Sequence, residues 1–338
     1  MTDLTLLENE FTKPSAALIA DLAKIEGDII ILGIGGKMGP GIGKLAVEAT
    51  KAAGVDKKII GVSRFSDSRS RAELDALGVK TIACDLLDEN TLQALPLVRN
   101  VVYLAGHKFG TTGNEGFTWA MNAYLPGRVA EKYKSSNIVA FSSGNVLPFV
   151  KVTSGGVSEE TAPEPIGEYA QSCLGRERIF EYFSRKNQTP TLIYRLNYAV
   201  DFRYGVLMEI AKSVLSGKEI DLRTENVNVI WQGDANEIAI RSLLHCQSPA
   251  KILNVTGPET LSVRWVAEQF GKKFAKEPKF IYEAEGSALL NNASECHRMF
   301  GYPRVTIREI IDITANWVKQ GGEELGKATH FQERGGKF

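Results

Sequence analysis

The sequence predicts an α/β fold: a Rossmann-type doubly wound parallel sheet with a smaller C-terminal α/β substrate lobe. Three observations lead there. Short β-branched runs alternate with amphipathic, helix-length segments between Asp28 and Leu196. Such alternation lays helices on both faces of a parallel sheet. The first run, Ile29 to Leu32, is apolar at every position, as a strand covered on both faces requires. A turn containing Gly33, Gly35, Gly36, Gly39, Gly41 and Gly43 then separates it from the next helix.

Taken in order, residues 1–27 form an N-terminal helical extension. Pro14 is placed at a first helical position, and Ala17, Leu18, Leu22 and Ile25 recur at helical spacing until Gly27. This helix is expected to pack against the main sheet. Residues 28–196 are expected to form the main, Rossmann-type domain. Its strands are Asp28 to Leu32, Lys58 to Val62, Thr81 to Cys84, Val101 to Ala105, Asn137 to Phe141 and Pro190 to Leu196. Helices are expected at Ile42 to Ala53, Thr91 to Leu95, Trp119 to Tyr133 and Glu168 to Ser184.

After Leu196 the rhythm breaks, which marks residues 197–319 as a smaller lobe. It carries helices at Gly205 to Leu215, Asp234 to His245, Val263 to Phe274 and Ile307 to Lys319. Short strands at Val227 to Ile230, Lys251 to Val255 and Phe280 to Tyr282 intervene, with room for a strand to return to the main sheet. Residues 320–338 are polar and glycine-rich, and are expected to drape over the surface.

Forty basic residues balance forty acidic ones, so bulk charge gives no footprint for nucleic acid or an anionic membrane. No apolar run reaches the ~20 residues needed to span a bilayer. Met1 to Pro14 lacks the basic flank and apolar core of a signal peptide, so a cytoplasmic location is expected. The four cysteines, Cys84, Cys173, Cys246 and Cys296, include no CxxC pair and read as free thiols. His245–Cys246 and Cys296–His297 are adjacent in sequence and make poor chelates, so no metal site is expected.

The glycine turn sits between a buried strand and a helix. There the backbone turns tightly, comes close to a pyrophosphate, and points a helix N-terminus at the anion. A mononucleotide P-loop does not fit, since Gly43–Lys44 has Met38 at the first glycine position and Leu45 where Ser or Thr belongs. The second strand ends at Ser63 and Arg64. A hydroxyl and a guanidinium suit a ribose 2′-phosphate better than ribose hydroxyls, favouring NADP, with NAD as the alternative. Asp85, after the third strand, is placed either to reach the adenine or to cap the next helix.

The order of these features resembles a known family. The glycine turn is followed by Cys84, Asp85 and Leu86, by Tyr103 to Ala105, and by Asn122 within a helix. Phe141, Ser142 and Ser143 follow, then Tyr169 opening a helix, Arg195, Asn197 and Tyr198, Trp231 to Asp234, and Leu253 to Gly257. From Asp28 to Lys319 the chain is similar to the extended short-chain dehydrogenase/reductases, and within them to the NAD-dependent epimerase/dehydratase group.

The resemblance implies a cofactor set of Gly33, Gly36, Lys37, Met38, Gly39, Ser63, Arg64, Asp85, Leu86, Ala105 and Gly106. It implies Tyr169 as the acid/base, Ser143 as the group hydrogen-bonded to the same substrate oxygen, and Asn122 as support for the proton path. Asn197 and Tyr198 fall where substrate is met. It also implies a homodimer through helices near Trp119 to Tyr133 and Glu168 to Ser184.

One departure stands out. The family's lysine four residues after the tyrosine is Cys173 here, an atypical variant. That lysine lowers the tyrosine pKa by its charge, which a neutral thiol does not do. Three readings stay open. Lys108, just past the fourth strand, replaces the cation; Cys173 takes part itself, which needs an electropositive pocket; or the chain binds cofactor with little or no turnover, as a regulatory or scaffold protein. Sugar 4,6-dehydratases of this family carry an Asp-Glu pair after the serine or threonine, whereas Gly144 and Asn145 stand here, which disfavours that subtype. The expected activity is that of an NAD(P)-dependent oxidoreductase or epimerase acting on a carbohydrate-like hydroxyl or carbonyl.

Overall fold

The computed structural model describes residues 13–108, 110–326 and 328–337. Seven parallel strands form the central sheet. They are β1 (Ile29–Leu32), β2 (Ile59–Ser63), β3 (Lys80–Ala83), β4 (Asn100–Tyr103), β5 (Asn137–Ser143), β6 (Thr191–Leu196) and, after the lobe begins, β7 (Lys251–Val255). Their spatial order is β7-β6-β5-β4-β1-β2-β3, and each neighbouring pair is parallel. The order reverses between β1 and β4, opening a crevice at the carboxyl ends of those strands.

The apolar first strand divides its side chains by simple alternation. Ile29 and Ile31 join one core with Leu18, Leu22 and Ile25, while Ile30 and Leu32 join another on the opposite face. The first face is covered by α1 (Ala16–Lys24), α2 (Gly39–Ala53) and α9 (Gln232–Arg241). The second is covered by α4 (Glu89–Ala94), α6 (Leu125–Lys132) and α7 (Gly167–Asn187). The N-terminal helix packs against α2 and α9, and its Leu18, Leu22 and Ile25 join the core that Ile29 and Ile31 supply from the sheet. Ser15, not Pro14, begins it: the Ser15 Oγ accepts the Leu18 amide at 3.0 Å and donates to Glu237 of α9. An Arg241–Asp21 pair at 2.8 Å fixes the same seam.

Several segments depart from the sequence reading. A helix, α3 (Ser68–Leu77), joins β2 to β3 where none was expected. Only Leu74 of it is buried, so it shows almost no apolar stripe, and its ends are set by an Asp67 cap and left-handed Gly78. The Trp119 to Tyr133 helix begins earlier and is broken: α5 (Glu115–Trp119) runs into a π-turn (Ala120–Tyr124) and then α6. The helix expected to reach His245 stops at Arg241 and tightens into a 3₁₀ turn.

The smaller lobe is built on a separate core of α8 (Val206–Ser216), α10 (Val263–Phe274) and α11 (Ile307–Lys319) around Trp231. Two-stranded ribbons edge it. Most described residues of the tail are exposed or half-buried, as a surface-draped segment would be, but two are inserted. Phe331 is 1% exposed within this lobe's core, and Thr329 is 3% exposed. An isolated aromatic in a polar stretch can anchor such a segment.

Deep in the sheet, Glu177 of α7 accepts Arg195 of β6 through two bonds, 2.9 and 2.8 Å, and Ser142 of β5 at 2.6 Å. Both charged side chains are essentially sealed from solvent. Removing one partner leaves an uncompensated buried charge. Glu177→Ala is expected to cost about 3–5 kcal/mol in urea unfolding, whereas an exposed pair such as Arg69–Glu73 should cost under about 1 kcal/mol.

Candidate active site

Because the strands are parallel, their carboxyl ends share one edge, and that edge gathers the residues singled out in the sequence. Two concavities lie along it. The first, of about 510 Å³, follows the crevice between β1 and β4 and is lined by Gly33, Gly36, Ser63, Arg64, Asp85, Leu86, Ala105 and Gly106. The chain leaves β1 through Gly33 at φ +91°, where an added Cβ would lie 2.7 Å from the Ala105 nitrogen. Only glycine meets both conditions.

Met38 occupies the N-cap of α2 without a side-chain cap bond, and Gly39 and Pro40 begin the helix. This leaves a helix N-terminus with no carboxylate or hydroxyl of its own turned over it, the arrangement that accepts phosphate. The crevice and this terminus fit a dinucleotide. Asp85 is exposed and its Oδ1 takes the Leu87 amide at 3.1 Å, making a local turn, while Asp88 caps α4. Arg64 is exposed at the mouth, and its charge contributes to lowering the His107 imidazole pKa, below the larger effect of burial.

Lys37 turns away from this groove. Its ammonium donates to the Ala199 carbonyl at 3.1 Å and lies 3.4 Å over the Tyr204 ring. It thus lines the second concavity, a cavity of about 150 Å³ that also meets Lys108, Ser143, Asn145, Tyr169, Asn197, Tyr198, Tyr204 and Thr329. Four of the sequence-selected residues, Ser143, Tyr169, Asn197 and Tyr198, therefore converge there with Lys108.

The Tyr169 hydroxyl hydrogen-bonds with Ser143 and Cys173, and burial holds its pKa well above the usual phenol value. Ser143 also caps the short turn after β5, accepting the Asn145 amide at 3.2 Å and donating to Asn145 Oδ1 at 2.9 Å. Asn197 is buried, and its Nδ2 donates to the Leu289 carbonyl at 3.3 Å. Tyr198 adopts a left-handed φ of 42°, a strained conformation for a bulky side chain.

Cys173 is fully buried one turn along α7 from Tyr169, and burial pushes its thiol pKa up, outweighing the opposing Arg176 and Lys108 charges. It is a neutral thiol at physiological pH. Two cations stand near the pair. Arg176 is committed to Asn122 Oδ1 and the Phe141 carbonyl, both at 2.7 Å. The Lys108 ammonium lies 5.6 Å over the Tyr169 ring and donates to the Thr329 carbonyl at 3.4 Å. Desolvation lowers the Lys108 pKa to about 8.

Asn122 lies in the π-turn and is fully buried. Its Oδ1 accepts the His107 amide at 2.8 Å as well as Arg176, and its Nδ2 donates to the His107 carbonyl and Ser172 Oγ at 2.8 and 2.9 Å. It ties the loop after β4, which carries Lys108, to α7. Among the described residues no group of three or more His, Cys, Asp and Glu could hold a metal ion, and no helix is long and apolar enough to cross a membrane.

A profile of the NAD dependent epimerase/dehydratase family matches residues 29–247. The chain belongs to that family. Solved structures with the same fold include a UDP-glucuronic acid 4-epimerase from Bacillus cereus in complex with UDP-glucuronic acid and NAD. That structure is 18% identical at a TM-score of 0.70, over 87% of this chain and 99% of the other. A dTDP-glucose 4,6-dehydratase from Streptomyces venezuelae with NAD bound is 16% identical at 0.73, over 87% and 97%. The UDP-Glc/GlcNAc 4-epimerase of Campylobacter jejuni is 20% identical at 0.69, over 87% and 100%. At such identities the likeness is one of fold. No curated protein matches the chain.

For an epimerase/dehydratase family member, the sequence reading missed two parts of the cavity wall. Tyr204 and Thr329 line it, yet neither stands in a motif. Their signal was weak: one is an aromatic beside a glycine, the other a threonine two residues before Phe331 in the polar tail.

Proposed function

We propose that this protein is a nicotinamide-dinucleotide-dependent oxidoreductase or epimerase acting on a carbohydrate-like hydroxyl or carbonyl, with Lys108 standing in for the motif lysine. The observation that carries the reading is the Lys108 ammonium over the Tyr169 ring, in a cavity that also holds Ser143. A nicotinamide held at the carboxyl edge of β1 and β4 would supply the two-electron donor or acceptor. The chain supplies the rest. Tyr169 donates a proton to the substrate oxygen, Ser143 hydrogen-bonds that oxygen as charge develops, and Lys108 favours the ionised tyrosine by its charge. Cys173 acts as a neutral neighbour of the Tyr169 hydroxyl. Asn197 and Tyr198 contact the substrate, and Asn122 positions the loop bearing Lys108.

The 4,6-dehydratase reaction is disfavoured by packing as well as by residue type. A Cβ at Gly144 would lie 2.8 Å from Asn197 Oδ1, so an acidic side chain there would displace Asn197. Ser63 and Arg64 at the groove mouth favour NADP over NAD. A homodimer through α5, α6 and α7 is supported by Tyr124 and Tyr182, both 56% exposed along these helices.

Tyr169→Phe is expected to lower the rate of carbonyl reduction about 10²–10⁴-fold, followed at 340 nm across a panel of sugars and sugar acids. Wild-type protein that binds NADP(H) but neither changes absorbance at 340 nm nor interconverts epimers on that panel would instead support the regulatory or scaffold reading. Below pH about 8 Lys108 carries its charge; above it the charge is lost. Reduction should therefore be level at lower pH and fall as pH rises through about 8. Lys108→Arg should move that fall to higher pH, because a guanidinium stays charged. Arg64→Ala should weaken NADP binding about 10–100-fold, the worth of a charge-assisted hydrogen bond, and leave NAD binding nearly unchanged in the same titration.

A further inference from the structure

The segment 328–337 does more than cap the smaller lobe. Thr329 lines the cavity that holds Tyr169, its carbonyl accepting Lys108 and its hydroxyl donating to Glu209 of α8 at 2.8 Å. Phe331 anchors it in the lobe core. Further along, Arg334 donates to the Ser287 carbonyl and Oγ at 2.7 and 2.6 Å, pairs with Glu285 at 2.7 Å, and lies 4.3 Å over the Phe149 ring. Gly336 then crosses Gly167 at the start of α7, so closely that a Cβ on Gly167 would lie 2.7 Å from the Gly336 Cα. The strap thus touches the lobe, the Lys108 loop and the root of the helix that carries Tyr169.

Beneath the strap the space beyond Asn145 is nearly filled. Only about 10 Å³ remains between Asn145, Phe149, Ile166, Leu289 and residues 333–336. Asn145 belongs to the catalytic cavity as well, so the strap occupies volume that would otherwise extend that cavity. What is left at Tyr169 is about 150 Å³, below the ~300–1,000 Å³ typical of sites for larger ligands. Its described lining includes two ammonium groups, Lys37 and Lys108, and no carboxylate. One ammonium comes from the glycine turn and the other from the loop after β4, and they enter the same cavity.

We propose that this cavity takes a single carbohydrate unit bearing an anionic group, a carboxylate or a phosphate, and that segment 328–337 excludes nucleotide-linked sugars. Lys37 is the anion-binding residue. This rests on the carbohydrate reading above but not on turnover. The strap makes the limit steric, and the two lysines make the preference electrostatic.

Isothermal titration of the NADP-loaded full chain tests it with four probes: glucuronate, glucose 6-phosphate, glucose and UDP-glucuronate. At least one of the two small anions should bind about tenfold or more tighter than glucose; which one does so separates carboxylate from phosphate. UDP-glucuronate should give no heat. Lys37→Met should bring the favoured anion to the level of glucose without changing NADP affinity. A chain ending at Phe331, which keeps the core anchor, should gain UDP-glucuronate binding; Arg334→Glu, which repels Glu285 and lifts the strap without shortening it, should do the same. Binding of UDP-glucuronate to the intact chain as tight as that of free glucuronate would overturn the proposal. So would glucose matching both anions, no heat from either anion, or loss of NADP rather than anion affinity in Lys37→Met. A protein that binds the anion yet neither changes absorbance at 340 nm nor epimerises the sugar would sink the proposed function and leave this one standing.

Discussion

The pairing of Glu177 with Arg195 and Ser142 is the constraint on which the catalytic edge depends. It joins α7, β5 and β6 at one buried point. Ser143 is the residue after Ser142, Asn197 lies two beyond Arg195, and Tyr169 is two helical turns before Glu177. Three side chains that line one cavity are therefore held by elements locked to a shared carboxylate. Low dielectric makes such a bond strong when complete and costly when broken. The positions of Ser143 and Tyr169 are consequently set from the core, not from the solvent side.

Much of this was legible in the sequence because it follows from short-range rules. An all-apolar β1, a glycine turn and repeated strand–helix alternation dictate a parallel sheet, and parallel strands bring their carboxyl ends to one edge whatever the loops do. Ser63, Asp85, Ala105, Ser143 and Asn197 all reach that edge for this reason alone. Residues Glu177 and Arg195 stood in recognisable places, but only the fold shows that they are one ion pair. The α3 helix was invisible because it buries a single leucine, so its sequence carries caps without a stripe. The strap was invisible because its contacts are with residues tens to hundreds of positions away, which no local pattern encodes.

The cysteine at position 173 shows how a local side chain and the surrounding field differ. A lysine one turn from Tyr169 would act from within α7. Here the nearby charges come from Lys108 on another loop and Arg176 further along the helix, and each lowers the Cys173 thiol pKa against the larger effect of burial. Sequence reasoning could name Lys108 as a candidate from its place after β4. Its position over the tyrosine ring depends on Thr329 and on the Asn122 bonds that hold the loop, and these are tertiary facts.

The π-turn between α5 and α6 has a consequence for how that loop is held. Leu125 donates its amide to Ala120, five residues back, so one extra residue is accommodated and the helix resumes with its faces rotated by about 100°. The two halves thereby run out of phase. Leu125 and Val129 face the core on one side of the shift, while Asn122 within it is turned toward the loop after β4. A regular α-helix of one residue fewer could satisfy the core or the loop, but its single phase would not serve both. The irregular turn is what lets one continuous helical rod carry two separate alignments.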